Sequence, residues 1–330
     1  MLDLSYPELA FALHAVRQAA LLVQLVQREL VSPAMTKHDR SPVTVADFAS
    51  QALVGFLLSQ SFPGDTLVAE EDAAALRDPA STDTLAQVVH FVSQFVSEAD
   101  AQAVCAWIDR GRGETGARFW TLDPIDGTKG FLRGDQYAIA LALIENGRVQ
   151  IGVLGCPNLI DAHQPDLSGA GSLVVAAHGQ GTWTAPLARG GAWLALHVSS
   201  QDAPAQARLL RSFESGHTNV DQIGAFARVL GVQAAPLLMD SQAKYALLSS
   251  GSGELMLRML SPEKPHYREK IWDQAAGSLV LEEAGGRITD LSGKPLDFTT
   301  GRSLTNNRGI LASNGVLHAA ALRAVKMIGV

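Results

Sequence analysis

Apolar residues recur at helical spacing through residues 7–31. Leu9, Leu13, Val16, Ala20 and Val23 share one face, and Pro7 suits a first helical turn. This predicts a packing helix. A polar stretch interrupts the pattern, and a second helix is expected from Thr44 or Asp47 to about Gln60. Phe62-Pro63-Gly64-Asp65 reads as a turn and Leu67 to Ala69 as a short strand. Residues 73–118 carry a helical pattern around Leu85, Val88, Val89, Val92, Phe95 and Val96, then a Gly/Arg-rich loop from Gly111 to Gly116. This segment reads as an insertion without chemistry. Phe119 to Leu122 predicts a strand that ends at Asp123, since Pro124 cannot continue a ladder. Tyr137 to Ile144 reads as a buried strand, Glu145 to Arg148 as a hairpin turn and Val149 to Leu154 as the returning strand. Strands near 173–177, 182–184 and 193–198 would complete an antiparallel sheet. From about residue 202 helical and strand segments alternate, which predicts a second, α/β lobe. The expected division is 1–198 and 199–330.

Composition narrows the class. The chain has 330 residues, 47% hydrophobic and 18% charged, which suits a globular enzyme with a sizeable core. A net charge of −7 argues against long nucleic acid as a partner, though a single nucleotide needs only a local basic pocket. Cys105 and Cys156 give neither a metal spacing nor a disulfide framework. No apolar run approaches the roughly 20 residues of a membrane span, and the start lacks the basic and apolar regions of a signal peptide. A cytoplasmic protein with no membrane and no obligatory protein partner is expected.

The chemistry concentrates in Trp120-Thr121-Leu122-Asp123-Pro124-Ile125-Asp126-Gly127-Thr128-Lys129-Gly130-Phe131. Alone, D-x-x-D-G fits an Asx-rich turn between strands. Here a proline and a glycine let Asp123 and Asp126 converge on one point. Two convergent carboxylates repel unless a cation lies between them, and hard oxygen ligands favour Mg²⁺. Thr128 follows beside a backbone able to offer N–H groups to an anion.

Other strings could complete such a site. Asp47, in Ser41-Pro42-Val43-Thr44-Val45-Ala46-Asp47, fits either a helix N-cap or a carboxylate aimed into a metal site. Glu70-Glu71-Asp72 is an acidic run that a short strand points somewhere definite. His217, in Glu214-Ser215-Gly216-His217, reads by itself as a surface residue. Ser241 and Lys244 lie in Met239-Asp240-Ser241-Gln242-Ala243-Lys244-Tyr245. Arg258 sits in an apolar strand, where an unpaired charge is costly and an anion partner would explain it. Asp273, in Ile271-Trp272-Asp273-Gln274-Ala275-Ala276-Gly277, begins a helix and again fits a cap or a ligand.

Taken in order, S-P-V-T-V-A-D, V-A-E-E-D, W-T-L-D-P-I-D-G-T-K-G-F and W-D-Q-A-A-G resemble the inositol monophosphatase superfamily of lithium-sensitive, Mg²⁺-dependent phosphatases. E-S-G-H, M-D-S-Q-x-K-Y, Y-R-E-K-I-W-D and G-K-P-L-D-F resemble its 3′(2′),5′-bisphosphate nucleotidase branch, across about Ser41 to Ser313. The resemblance implies a layered αβαβα sandwich, of mixed α+β and α/β character, as in inositol monophosphatase and fructose-1,6-bisphosphatase. It implies roughly two to three Mg²⁺ ions per site. Glu70, Asp123 and the Ile125 carbonyl would hold one; Asp123, Asp126 and Asp273 a second. Thr128, oriented by Asp47, would position and deprotonate the attacking water. Gly127 and Thr128 would contact the scissile phosphate, and Ser241, Lys244, Arg258, His217 and Asp273 the nucleotide. The implied reaction removes the 3′-phosphate of adenosine 3′,5′-bisphosphate to give AMP, also acts on 3′-phosphoadenylyl sulfate, and is inhibited by Li⁺ and Na⁺. Arg211 departs from the branch, which favours an acid or small residue there, and leaves fine substrate preference open. The rival expectations are an inositol phosphatase on the same metal site and a catalytically silent nucleotide-binding regulator.

Overall fold

The structure is a computed structural model and describes residues 2–31, 41–188, 191–213, 220–260 and 266–330. Helices α1 (Pro7–Leu30) and α2 (Ser41–Ser61) pack against each other and cover one face of a seven-stranded sheet. That sheet contains β1 (Thr66–Ala69), β2 (Arg118–Asp126), β3 (Ala138–Glu145) and β4 (Arg148–Cys156). The small β5 (Leu159–Ile160) and β6 (Gln164–Pro165) pair with each other outside it. It closes with β7 (Ser172–Ala177), β8 (Thr182–Pro186) and β9 (Leu194–Leu196), in the order β1-β2-β3-β4-β7-β8-β9. Only β1 and β2 run parallel in it; every other neighbouring pair is antiparallel.

A second, five-stranded sheet uses β10 (Leu209–Arg211), β11 (Leu237–Leu238), β12 (Leu255–Arg258), β13 (Arg287–Thr289) and β14 (Ile310–Ser313), ordered β11-β10-β12-β14-β13. Helices α3 (Thr82–Ser93) and α4 (Ala101–Asp109) pack on α2, and the short α5 (Thr128–Arg133) follows β2. Helix α6 (Val220–Leu230) meets α9 (His318–Met327) on the outer face of the small sheet. Helices α7 (Ala243–Ser249) and α8 (Ala275–Glu283) lie between the sheets. The layers are therefore α1/α2, large sheet, α7/α8, small sheet, α6/α9: the expected αβαβα sandwich.

Strand β3 shows why the large sheet is buried on both sides. Ile139, Leu141 and Leu143 join the core under α1 and α2, while Ala138, Ala140, Ala142 and Ile144 face α7 and α8. Both periods of the strand are covered, so its sequence is an unbroken apolar run rather than an alternation. The β3–β4 turn fits the sequence expectation: Asn146 and Gly147 have φ of 49° and 75°, the left-handed pair such a two-residue turn needs.

Three expectations are corrected. Helix α1 is long and apolar enough, by length and composition, to cross a membrane, contrary to the reading that no run approaches a span. Here most of it is buried against α2 and the large sheet, which accounts for its apolarity. Residues 73–118 hold a second helix, α4, whose N-cap Asp100 accepts from the Ala103 N–H at 2.8 Å. At nine residues it escapes a periodicity test. Strand β2 does not end at Asp123 but runs on to Asp126.

Candidate active site

The extension of β2 past Pro124 shapes the acidic end of the site. Its ladder with β3 is regular to Asp123↔Ala140, then jumps to Asp126↔Ala138. Pro124 lies within this irregular step, where its missing N–H costs no ladder bond. Its carbonyl accepts from Ser50 Oγ at 3.1 Å, tying the bulge to α2. Strand β1 runs parallel to β2 with Ala69 beside Leu122, so Glu70, just past the end of β1, comes beside Asp123, which is still paired within β2. They are close enough that Glu70 helps to raise the pKa of Asp123.

Asp126 Oδ2 accepts from the Gln242 N–H at 2.8 Å, which anchors the bulge to the start of α7. Asp273 precedes α8. The cap position belongs to Gln274, whose side chain makes no capping bond, so the N-cap reading of Asp273 fails. Asp47 fails that reading too, because α2 already begins at Ser41. It is buried, with Oδ1 lacking any hydrogen-bond partner, and among the described residues none joins it to Thr128. Asp123 Oδ1 is similarly buried and unpartnered.

Burial is the main force on these groups. It raises Asp47 well above the usual carboxylate range, with repulsion from Glu71 and Glu70 adding to the shift. It does the same to Asp123, helped by Glu70, Asp126, Asp273 and Asp47. Asp126 and Asp273 are also raised, although Lys244 and Arg258 oppose the shift at Asp126 and Arg258 opposes it at Asp273. Glu70 is pushed up to about 7 by burial of its carboxyl and repulsion from Glu71 and Asp126. Much of the Glu70 residue is solvent-exposed at the rim, so water moderates that push. Among the described residues, no three His, Cys, Asp or Glu side chains form a closed ligand nest as they stand. The donor set is nevertheless hard oxygen, like-charged and partly unpartnered, and that chemistry fits divalent cations such as Mg²⁺.

A basic wall faces the acids. Ser241 has φ of 67° and Gly127 of 89°, and a Cβ on Gly127 would stand 2.9 Å from that of Ser241. Only glycine permits this approach between the β2–α5 turn and the loop before α7. Lys244 Nζ donates to Ser212 Oγ at 3.2 Å; burial pulls its pKa down while Asp126 pulls it up. Burial works against the Arg258 charge, but Glu269, Asp273 and Asp126 outweigh it and keep its pKa raised. Arg258 is not unpaired in its strand: its Nε lies 2.9 Å from Glu269 Oε1. The anion that its position called for is, in the first instance, supplied by the chain.

Acids and bases line one cavity of about 350 Å³. Glu70, Asp123, Ile125, Asp126 and Asp273 line it, as do Gly127, Thr128, Ser241, Lys244 and Arg258. Asp47 is not on its surface. His217 lies outside the described residues. Sequence reasoning missed Glu269, Gln242 and the Arg133–Asp240 ion pair. Glu269 is 3% exposed and Asp240 7%, and no short motif marks a residue whose role is to hold an arginine.

The fold and the site define a class: a layered sandwich with clustered carboxylates facing cations across one cavity. The chain belongs to the inositol monophosphatase family, whose pattern matches residues 6–329. Within it the chain resembles 3′(2′),5′-bisphosphate nucleotidases: that of Oryza sativa is 44% identical, covering 97% of this chain and 93% of its own. That of Schizosaccharomyces pombe is 41% identical, covering 93% and 91%. Among solved structures, an inositol monophosphatase from Anabaena superposes with a TM-score of 0.63 at 21% identity, covering 97% and 95%. CysQ from Bacteroides thetaiotaomicron, a bacterial member of the same family, gives 0.62 at 16%, covering 95% and 99%.

Proposed function

We propose that this chain is a Mg²⁺-dependent phosphomonoesterase that removes the 3′-phosphate of adenosine 3′,5′-bisphosphate, giving AMP, and also acts on 3′-phosphoadenylyl sulfate. The observation that carries this reading is the two-sided cavity: Glu70, Asp123, Asp126 and Asp273 on one side, Lys244 and Arg258 on the other. A single-phosphate substrate uses only the acidic side with its cations. A second, uncleaved phosphate gives Lys244 and Arg258 a partner. The names of the relatives support the nucleotide.

Glu70, Asp123, Asp126, Asp273 and the Ile125 carbonyl would hold the cations. Bound there, they would neutralise the phosphoryl oxygens and ease deprotonation of water. Gly127 and Thr128 orient the scissile phosphate through the turn that heads α5. The Thr128 hydroxyl would take a proton from the attacking water while passing its own to Asp47; α2, which carries Asp47, packs against both β2 and α5. Lys244, held by Ser212, and Arg258, held by Glu269, fix the other phosphate, and Ser241 and His217 contact the nucleoside.

Phosphate release from adenosine 3′,5′-bisphosphate, inositol 1-phosphate and inositol 1,4-bisphosphate in Mg²⁺ tests the reading. Fast release from the nucleotide, suppressed by Li⁺, is expected. Release from the inositol compounds alone would overturn the nucleotide assignment and keep the acidic site. Tight nucleotide binding without turnover would make the protein a regulator.

A further inference from the structure

Arg302 stands on the loop between β13 and β14, distant in sequence from every carboxylate of the site. Its Nη1 donates to the Gly111 carbonyl at 3.1 Å, and its Nη2 donates to the Ala69 carbonyl. Ala69 is the last residue of β1, immediately before Glu70. The guanidinium carbon also lies 4.8 Å from the centroid of the Trp272 ring, immediately before Asp273. The Arg302 carbonyl in turn accepts from the Ile271 N–H at 3.2 Å. One side chain thus bridges the residues that precede two of the proposed cation ligands, one after β1 and one before α8.

The bridge continues inward. The Trp272 carbonyl accepts from Gln242 Nε2 at 2.9 Å, and the Gln242 N–H binds Asp126. Glu70, Asp273 and Asp126 are therefore spaced by one continuous set of contacts that starts at Arg302. A planar guanidinium can donate to two carbonyls and stack on an indole at once; a lysine ammonium cannot do all three.

We propose that Arg302 is a positioning residue that sets the distance between Glu70 and Asp273, and so the affinity of the site for divalent cations. The cations themselves rest on the functional reading above. Side chains that orient ligands without touching the ion typically change metal affinity by about 10- to 100-fold when removed. Substrate recognition lies elsewhere, on Lys244 and Arg258, and is not carried by this bridge.

The test compares the full-length wild type with Arg302→Met and Arg302→Lys; Arg302→Met keeps the apolar stem where alanine could unfold the loop. Two quantities are read: Mg²⁺ binding by calorimetry without substrate, and the Mg²⁺ midpoint for phosphate release from adenosine 3′,5′-bisphosphate. Arg302→Met is expected to weaken both in parallel by about 10-fold or more. KM for the nucleotide at saturating Mg²⁺ should move less than about twofold, and Arg302→Lys should recover little of the loss. A folded Arg302→Met with wild-type Mg²⁺ binding overturns the proposal, as does full rescue by lysine. An Arg302→Met that fails to fold, alongside an Arg302→Lys with wild-type Mg²⁺ binding, assigns the bridge to stability alone and also overturns it. If the wild type binds Mg²⁺ but does not hydrolyse the nucleotide, the functional reading fails while the calorimetric comparison still decides this one.

Discussion

Arg258 Nε and Glu269 Oε1 form an ion pair at 2.9 Å on the cavity wall without hydrogen-bond alignment, while Glu269 Oε2 accepts from Gln274 Nε2 at 3.1 Å. Gln274 Oε1 in turn accepts from the Tyr245 hydroxyl at 2.5 Å. Arg258 is thus aimed by a buried network. Removing one partner of a buried ion pair typically costs about 3–5 kcal/mol, because the other charge is left uncompensated. Glu269→Ala is expected to cost less than that in urea unfolding, because the Arg258 side chain is 33% exposed and still faces Asp273 and Asp126, and to raise KM for the nucleotide more than it lowers kcat. Glu269→Gln, which keeps the shape and one acceptor oxygen but loses the charge, should cost less. Unchanged stability and KM in Glu269→Ala would remove Glu269 from the site.

Asp126→Asn separates a ligand role from a structural one. Asparagine keeps an acceptor for the Gln242 N–H and removes one of several crowded like charges. Activity should fall on the order of 100-fold. The melting temperature without Mg²⁺ should stay level or rise, since the repulsion is relieved, and its increase on adding Mg²⁺ should shrink. Near-normal turnover would contradict the assignment of Asp126 to a cation.

Gly127→Ala tests the turn before α5. The φ of 89° is strained for alanine, and the new Cβ would lie 2.9 Å from Ser241 Cβ and 3.3 Å from the Gln136 carbonyl oxygen. A cost of about 1–3 kcal/mol is expected, with a clear loss of kcat. Adding Ser241→Gly should restore part of the stability by removing the contact, though not the strain at residue 127. No recovery in the double variant would mean that the contact contributes nothing.

His318 gives a pH dependence away from the site. It is 1% exposed, with Nε2 3.0 Å from Thr289 Oγ1 and Nδ1 2.9 Å from Ser313 Oγ. Burial, helped by Arg287, pulls its pKa down to about 4 from 6.5. Between those values the unfolded chain binds the proton and the folded chain does not, so acid favours unfolding. Stability should therefore fall as pH drops from about 6.5 to about 4, by at most about 3 kcal/mol from this group. His318→Gln should flatten that part of the urea-midpoint profile, and an unchanged slope would refute the assignment.

Periodicity carried the fold far because the burial pattern is simple. Helix α1 and strands β3 and β4 could be read from residues alone, each being long and apolar. Helix α4 could not, because nine residues among loops give too little repeat. Asp123, Asp126 and Thr128 were legible because one strand and its turn hold them. Glu70 and Asp273 were legible only by resemblance to a family, since their meeting depends on strand pairing and on a helix packed between two sheets.

What the sequence determined by itself is the local chemistry. It set the paired aspartates, the glycine that lets a turn come close to Ser241, and the apolar runs that must be buried on both faces. Tertiary structure alone decided the partners. It paired Arg258 with Glu269, carried β2 through Pro124 to Asp126, and placed Arg302 between Ala69 and Trp272. The physical reason is distance along the chain. A strand or a turn is specified by its neighbours in sequence, whereas a buried charge is specified by whatever group packing brings against it.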